Sequence, residues 1–202
     1  TLTNTVAITG AGTRTVDTQA NTLTLGGVVS GDGALAKTGA GTLTLNGTNT
    51  YTGTTNLNAG TIKVGNDSAL GTGALAMATG TTLDAGAANR TLANAVGITG
   101  TGTVDTNATT LTLSGVVSGG ALTKIDSGTL VLTGTNTYSG TTNLDAGTIQ
   151  VGNSSALGTG ALAMASGTKL QSGAADLTLT NTVAITGAGT RTVDTQANTL
   201  TL

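Results

Sequence analysis

Residues 41–66 read GTLTLNGTNTYTGTTNLNAGTIKVGN, and two short runs within them alternate polar and apolar side chains. The runs are Thr42-Leu43-Thr44-Leu45 and Thr61-Ile62-Lys63-Val64, and Gly or Asn residues bound each of them. Alternation with period two between turn residues is typical of short β-strands joined by tight turns. Because successive side chains of a strand point to opposite sides, we expect the apolar residues to face a core and the polar residues to face solvent.

This strand element recurs along the chain at a nearly regular interval. It begins at Thr42, Thr61, Thr82, Thr103 and Thr129. A mean recurrence of about 22 residues predicts an all-β fold, a parallel β-helix (β-solenoid) of about nine coils that bury a shared column of apolar side chains. The residues expected to point inward are Leu43, Leu45, Ile62, Val64, Leu83, Val104, Leu130, Leu132, Ile149 and Val151.

Two levels of longer repetition organise the chain. Residues 1–90 (unit one) align with residues 91–177 (unit two), and a third copy begins at residues 178–202, which repeat residues 1–25 letter for letter. The near-identical period is therefore the stretch 1–177, made of two diverged units. Neither end resembles a capping coil. We therefore expect a single β-solenoid with uncapped ends that is part of a tandem array, with a trimmed or designed sequence as the alternative.

Two segments of the chain resemble the passenger-associated repeat of bacterial autotransporters. They are residues 34–75 and 121–162, and both contain Lys, Gly-Thr-Leu, Gly-Thr-Asn-Thr-Tyr and Ala-Gly-Thr-Ile in that order. In the first segment the resemblance rests on Lys37, Gly39, Gly41, Thr42, Leu43, Leu45, Gly47, Asn49, Tyr51, Gly53, Thr54, Ala59, Gly60, Thr61, Val64, Leu70 and Gly71. Their counterparts in the second segment include Lys124, Gly128, Leu130, Gly134, Tyr138, Gly140 and Gly147.

The resemblance implies a location as well as a fold. It implies a right-handed parallel β-helix that is exported across an outer membrane and is secreted or displayed at the surface of a Gram-negative bacterium. It implies no single activity, because passengers of this family include adhesins, proteases and toxins. The second segment has Ile125-Asp126-Ser127 where the first has Thr38-Gly39-Ala40, a difference that changes one turn and leaves the resemblance intact.

The composition argues against several functions. The chain has a net charge of −2, 1% aromatic residues and no His or Cys. Without basic runs or stacking aromatics it has no nucleic-acid-binding signature. No apolar stretch approaches the roughly 18 residues of a membrane-spanning helix, so we expect no direct membrane span.

We expect no catalytic residue, no metal site and no cofactor. All nine acidic residues are Asp, and the equivalent Asp17, Asp105 and Asp194 follow Val in Val-Asp-Thr about one unit apart. Carboxylates so far apart along a solenoid do not form a catalytic pair, and we expect them to be solvated. The GTGALA stretches at residues 71–76 and 158–163 lack the Asp of calcium-binding solenoid repeats, so they are expected to be structural turns.

Three further features have both a binding and a structural interpretation. Tyr51 and Tyr138 could stack on a glycan, but packing over a corner with a bonded hydroxyl is the favoured interpretation. Asn49 and Asn136 are expected to stack as amide ladders. Thr-x-Thr pairs such as Thr42-x-Thr44 resemble ice-binding rows, but Lys63 interrupts the pattern one coil further on. Binding residues therefore stay unknown.

These observations predict a non-enzymatic structural repeat of a long bacterial cell-surface or extracellular filament, built from tandem copies of the 1–177 period. The alternative is the stalk or passenger region of an autotransporter adhesin whose recognition domain lies elsewhere. The expected partners are further copies of the period along the solenoid axis, joined covalently or stacked end to end, and other cells or surfaces.

Overall fold

The computed structural model describes residues 1–202 and contains β-strands without any helix. Every strand pairing in it is parallel. The strands within residues 1–89 are β1 (Val6–Ala7), β2 (Thr13–Asp17), β3 (Thr22–Leu25), β4 (Val29–Ser30), β5 (Ala34–Thr38), β6 (Thr42–Leu45), β7 (Thr55–Leu57), β8 (Thr61–Val64), β9 (Leu75–Met77) and β10 (Thr82–Asp84).

The later strands repeat this pattern with two longer members. They are β11 (Arg90–Leu92), β12 (Val96–Asp105), β13 (Thr110–Leu113), β14 (Val117–Ile125), β15 (Thr129–Leu132), β16 (Thr142–Leu144), β17 (Thr148–Val151), β18 (Leu162–Met164), β19 (Lys169–Ser172), β20 (Leu177–Thr178), β21 (Val183–Ile185), β22 (Thr192–Asp194) and β23 (Leu200–Thr201). The longer strands β12 and β14 each continue around a corner of the coil, with a register irregularity between Ile98 and Thr101.

The coils stack as the sequence period predicts. Thr42 pairs with Thr61, Thr61 with Thr82, and Thr82 with Thr103. The chain forms a β-solenoid of about nine coils, with about 21 residues in each. The fold class inferred from the sequence is therefore confirmed.

The fifth recurrence of the strand element, at Thr129, does not lie on the same column. Thr103 pairs with Thr123, whereas Thr129 pairs with Thr110. The interpretation of the interval from Thr103 to Thr129 as one coil was therefore wrong, and it made the inferred mean coil slightly too long. Thr129 occupies another face of the solenoid, because unit two is rotated about the axis relative to unit one.

The solenoid has three faces, each a column of paired strands. Face 1 contains the inward residues Leu23, Leu43, Ile62, Leu83, Val104, Lys124, Leu144, Met164 and Ile185. Face 2 begins with Val16, Lys37, Leu57, Met77 and Ile98 and continues through Val117 to Gly119. Face 3 begins with Val6 and Val29 and later contains Leu111, Leu130, Ile149, Leu170 and Val193.

A single apolar core of 37 buried residues runs along the axis. All ten residues predicted to point inward belong to it, and none is more than 1% exposed. Thr44, Lys63 and Gln150, which alternate with them, are partly exposed on the outer surface, as predicted. Each coil is too small to bury its apolar side chains alone, so the coils above and below it complete its core.

The close stacking explains the glycines at the corners. A Cβ on Gly160 would lie 2.0 Å from the carbonyl oxygen of Gly140 on the preceding coil. Other corner glycines have a different reason: Gly167 has a φ of +77°, which residues with a Cβ rarely adopt. Of the 110 backbone hydrogen bonds, 57 involve turn or loop residues, so the turns take part in the stacking as well.

Candidate functional site

Tyr51 and Tyr138 fill the core at equivalent positions of the two units. Both are fully buried, and their hydroxyls form hydrogen bonds of 2.5 and 2.6 Å with Thr55 and Thr142. Burial raises the pKa of each phenol to about 12. A ring without exposed surface cannot stack on a glycan, so the structural interpretation of both residues is confirmed. They lie inside the core instead of over a corner.

The predicted amide ladders are wrong. Asn49 accepts a 2.7 Å hydrogen bond from the Val29 backbone N–H and donates a 2.6 Å bond to the Ala69 carbonyl. Asn136 makes the equivalent pair of bonds to Val117 and Ala156. Because the coils on either side present backbone at this position and no second amide, each Asn bridges three successive coils.

Two lysines of the repeat motif lie in the core, which the sequence analysis did not predict. Lys37 and Lys124 have no exposed surface. The ammonium of Lys124 donates to the carbonyls of Ile125, Asp126 and Ala146 at 2.7, 2.5 and 3.1 Å, and Lys37 makes the equivalent three bonds. Burial lowers the pKa of both lysines, that of Lys124 to about 8.

A signal for this burial exists in the sequence. Lys37 and Lys124 occupy alternate positions with Leu35 and Leu122, at which an inward residue is expected. A lysine at such a position can remain charged only where carbonyl oxygens surround its ammonium group. The corner formed by Ile125 and Asp126 with Ala146 of the next coil supplies them, so the lysine ties a corner to its neighbour.

The structure brings three carboxylates of successive coils together. Asp84 is the register partner of Asp105, and Asp126 lies beside Asp105. Burial raises the pKa of Asp105, and the charges of Asp126 and Asp84 raise it further, against a hydrogen bond from the Asn107 backbone. Lys63 offsets part of this charge through a 3.5 Å contact with Asp84.

The three carboxylates bear on the expectation that the Asp residues are far apart and solvated. Asp17, Asp105 and Asp194 do lie about one unit apart, but Asp105 is not an isolated solvated carboxylate. Sequence spacing missed the stack because Asp84 and Asp126 occupy different motifs and become neighbours through coil stacking. No group of His, Cys, Asp or Glu residues in the chain is arranged to hold a metal ion.

The surface has one cleft. It has a volume of about 290 Å³ and is lined by Asp67, Ser68, Gly71, Thr72, Ala93 and Asn94. Its rim is tied by hydrogen bonds from the Thr91 N–H to Asp67 at 3.0 Å and from the Asn94 amide to the Gly73 carbonyl at 2.7 Å. At the equivalent junction between unit two and the third copy, Ser154 stands for Asp67 and Thr180 for Ala93. The cleft therefore lies where unit one meets unit two.

The outer surface carries a continuous column of threonines on face 1. Thr22, Thr42, Thr61, Thr82, Thr103 and Thr123 are register partners on six successive coils. The neighbouring outer column reads Thr24, Thr44, Lys63, Asp84 and Asp105, so no second row of threonines accompanies the first. The expected interruption of the Thr-x-Thr pattern is confirmed.

The structure contains no helix that could span a membrane. The outer surface offers hydroxyls, amides and scattered charges, and the buried polar groups bond mainly to backbone. What the arrangement can do is hold many coils in register, and the chain contains no His, Cys or Glu.

Comparison with known proteins supports the recognition of the repeat. The family model of the passenger-associated transport repeat matches twice, at residues 35–64 and 122–151. The chain is also 45% identical over 102 residues to a protein named "Adhesin BmaC autotransporter" from Brucella suis biovar 1 (strain 1330). The match covers 48% of this chain and 3% of that protein's length. No solved structure matches the chain.

The class of protein follows from these observations. The chain is a parallel β-solenoid that contains two copies of the passenger-associated transport repeat, as the sequence predicted. Both copies contain the buried lysine, asparagine and tyrosine described above. Tyr51 fills the core, and Lys37 and Asn49 bond neighbouring coils.

Proposed function

We propose that this chain is a structural, non-enzymatic segment of a long bacterial surface or extracellular filament built from tandem copies of the 1–177 period. The observation that supports it most is the exact return of residues 1–25 at positions 178–202, within an uninterrupted solenoid. Backbone bonds and core contacts link each coil to the next, so further units extend such a fibre without a new kind of contact. Its role rests on length and stiffness.

A surface location at a Gram-negative cell is part of the same proposal. It is supported by the two transport-repeat matches and by the similarity to a protein named an autotransporter adhesin. The buried lysine, asparagine and tyrosine of each copy support a structural role, because they bond neighbouring coils or fill the core. The units themselves are the expected partners along the axis.

The intact mass of the native protein under denaturing conditions tests the tandem arrangement. A mass many times the 19.2 kDa of these residues is expected. A native mass close to 19.2 kDa would contradict the covalent array.

A second candidate function is the stalk of an adhesin with a separate recognition domain, favoured by the name of the Brucella relative. Quantitative peptide mapping separates the two. A filament yields peptides of these units in large excess over all others, because the repeats make up nearly the whole chain. A stalk yields a substantial set of peptides from a domain without repeats.

A further inference from the structure

Equivalent residues of successive units lie on different faces of the solenoid. Val16, Val104 and Val193 occupy the same place in the Val-Asp-Thr motif of the three copies. Val16 pairs with Lys37 on face 2, Val104 pairs with Leu83 on face 1, and Val193 pairs with Leu170 on face 3. The three copies of this motif in the chain therefore lie on three different faces.

The core lysines report the same rotation independently. Lys37 pairs with Val16 and Leu57 on face 2, whereas Lys124 pairs with Val104 and Leu144 on face 1. The strand element behaves likewise, since Leu43 lies on face 1 and its counterpart Leu130 lies on face 3. Every part of the unit thus moves by one face in the same direction.

The rotation follows from counting segments along one unit. Between Val16 and Val104 the chain passes thirteen face segments, since three faces are visited in turn. Fourteen inward residues mark the starting segment and the thirteen that follow it, namely Val16, Leu23, Val29, Lys37, Leu43, Tyr51, Leu57, Ile62, Leu70, Met77, Leu83, Leu92, Ile98 and Val104. Thirteen segments are four coils and one third, so each unit starts about one third of a turn around the axis from its predecessor.

We propose that a tandem array of these units is a three-sided display, in which every surface feature that the units share appears on the three faces in turn. This inference rests on the tandem arrangement proposed above. Three units close the cycle after thirteen coils, so a given feature returns to the same face about every 62 Å at a coil spacing of about 4.8 Å. A partner that presents many receptors, such as another cell surface, then meets an equivalent face whichever side of the fibre it approaches.

An array of units with a whole number of coils would have a different distribution of surface features. All equivalent features would then lie on one face about 19 Å apart, for units of four coils at about 4.8 Å each. The other two faces would carry other features, and binding would depend on how the fibre lies. The extra third of a coil is therefore the property that makes the sides of the array equivalent.

Distances between paired spin labels on the 202-residue chain test the rotation, since the chain has no native Cys. The test pair is Asn56→Cys with Asn143→Cys, which are equivalent, partly exposed positions on faces 2 and 1. The matched control is Thr61→Cys with Asn143→Cys, which lie on face 1 four coils apart. Circular dichroism confirms that each variant folds.

The control pair is expected to give about 19 Å, from four coils of about 4.8 Å. The equivalent pair is expected to give a distance on the order of 10 Å longer, because faces about 20 Å wide separate the labels around the axis as well as along it. Equal distances for the two pairs overturn the proposal. A second equivalent pair, Thr44→Cys with Val131→Cys on faces 1 and 3, serves if the first does not fold.

The label distances and the native mass test two separate proposals, the rotation of the units and the tandem array. A native mass no greater than that of this chain would contradict the array while the labelled chain still showed rotated units. Equal label distances would contradict the rotation while leaving the mass of the native protein unaffected.

Discussion

At the scale of the residue, the polar groups inside the core are the feature that most distinguishes this solenoid from a plain apolar stack. Lys124, Asn136 and Tyr138 are all buried, and each finds hydrogen-bond partners. Lys124 and Asn136 bond backbone groups that include those of adjacent coils, and Tyr138 bonds the hydroxyl of Thr142. Because an unpaired polar group in the core costs about 1–3 kcal/mol, these residues fit only when the coils are in register.

The buried lysines predict an unusual dependence of stability on alkaline pH. The pKa of Lys124 is about 8 in the folded chain and 10.5 as an ordinary lysine, so between these values the unfolded state binds more protons. Stability therefore rises with pH in that window. Urea unfolding from about pH 7.5 to about pH 10 is expected to show an increasing free energy of unfolding.

The matched variant replaces both lysines, Lys37→Met and Lys124→Met, and is expected to lose this rise. The two buried tyrosines set the upper pH limit of this rise. The pKa of Tyr51 and Tyr138 is about 12 in the folded chain, whereas the phenols of the unfolded chain ionise near pH 10. The free energy of unfolding therefore falls as pH rises beyond about 10. A free energy of unfolding that is flat between about pH 8 and about pH 10 in the original chain would contradict the assignment.

The carboxylate stack predicts a stabilising substitution. Asp105→Asn removes a charge that lies directly beside Asp84 and Asp126, and is expected to raise the free energy of unfolding at neutral pH by about 0.5–1 kcal/mol. Since the pKa of Asp105 is raised in the fold, the original chain regains this stability as pH falls through that pKa, and the variant does not.

Thermal unfolding at neutral pH and at about pH 4 measures both effects. Asp145→Asn, at an exposed position, is the control and should change the melting temperature little. A destabilising effect of Asp105→Asn at neutral pH would show that the carboxylate contributes more through its bond from Asn107 than it costs through repulsion.

At the scale of the element, the turns constrain the sequence as strongly as the strands do. Gly41, Gly120 and Gly160 each lie so near the preceding coil that a Cβ would come within 2.0 Å of a carbonyl oxygen. Such glycines are required by the spacing between coils. Gly80 and Gly167 have open space beside them and are required by a positive φ alone.

This distinction predicts two different costs for Gly→Ala. Gly167→Ala is expected to destabilise the chain by about 1–2 kcal/mol, the cost of a left-handed backbone with a Cβ. Gly160→Ala is expected to cost more than about 3 kcal/mol, because the coils must separate to admit the methyl group. Denaturant midpoints of the two variants measured side by side give the comparison, and equal midpoints would contradict it.

At the scale of the whole molecule, burial depends on whether a further coil lies alongside. Leu25 is 5% exposed and Leu202 is 53% exposed, although the two stand at the same position of the identical stretches 1–25 and 178–202. Ile8 and Ile185 differ in the same way, at 3% and 68%. The local sequence is identical in each pair, so the difference in exposed fraction comes from the covering coil.

Extending the chain should therefore stabilise it. A copy of residues 26–202 fused after Leu202 places a coil over Ile185, Val193 and Leu202, which are exposed in the 202-residue chain. Burying apolar surface contributes about 25 cal/mol per Å², so the extended protein is expected to melt at a higher temperature. Calorimetry of the two lengths measures this, and an unchanged melting temperature would contradict continuation of the core.

The sequence by itself determined the kind of fold. Alternation in runs such as Thr42 to Leu45 showed which residues point inward. The interval of about 22 residues indicated the coil, slightly too long, because in a solenoid each coil pairs with its neighbours in register. The repeat motif was also legible from sequence. Alternation, the repeat interval and the motif are local or periodic patterns, so they can be seen in one sequence without knowledge of the fold.

Only the tertiary structure decided which distant residues meet. It placed Asp84 and Asp126 beside Asp105, gave Asn49 backbone partners in place of a second amide, and moved Thr129 off the column of Thr103. The physical reason is the mismatch between two periods: a unit contains four coils and one third. Which residues are neighbours across coils then depends on the total rotation about the axis, and no single motif encodes that rotation.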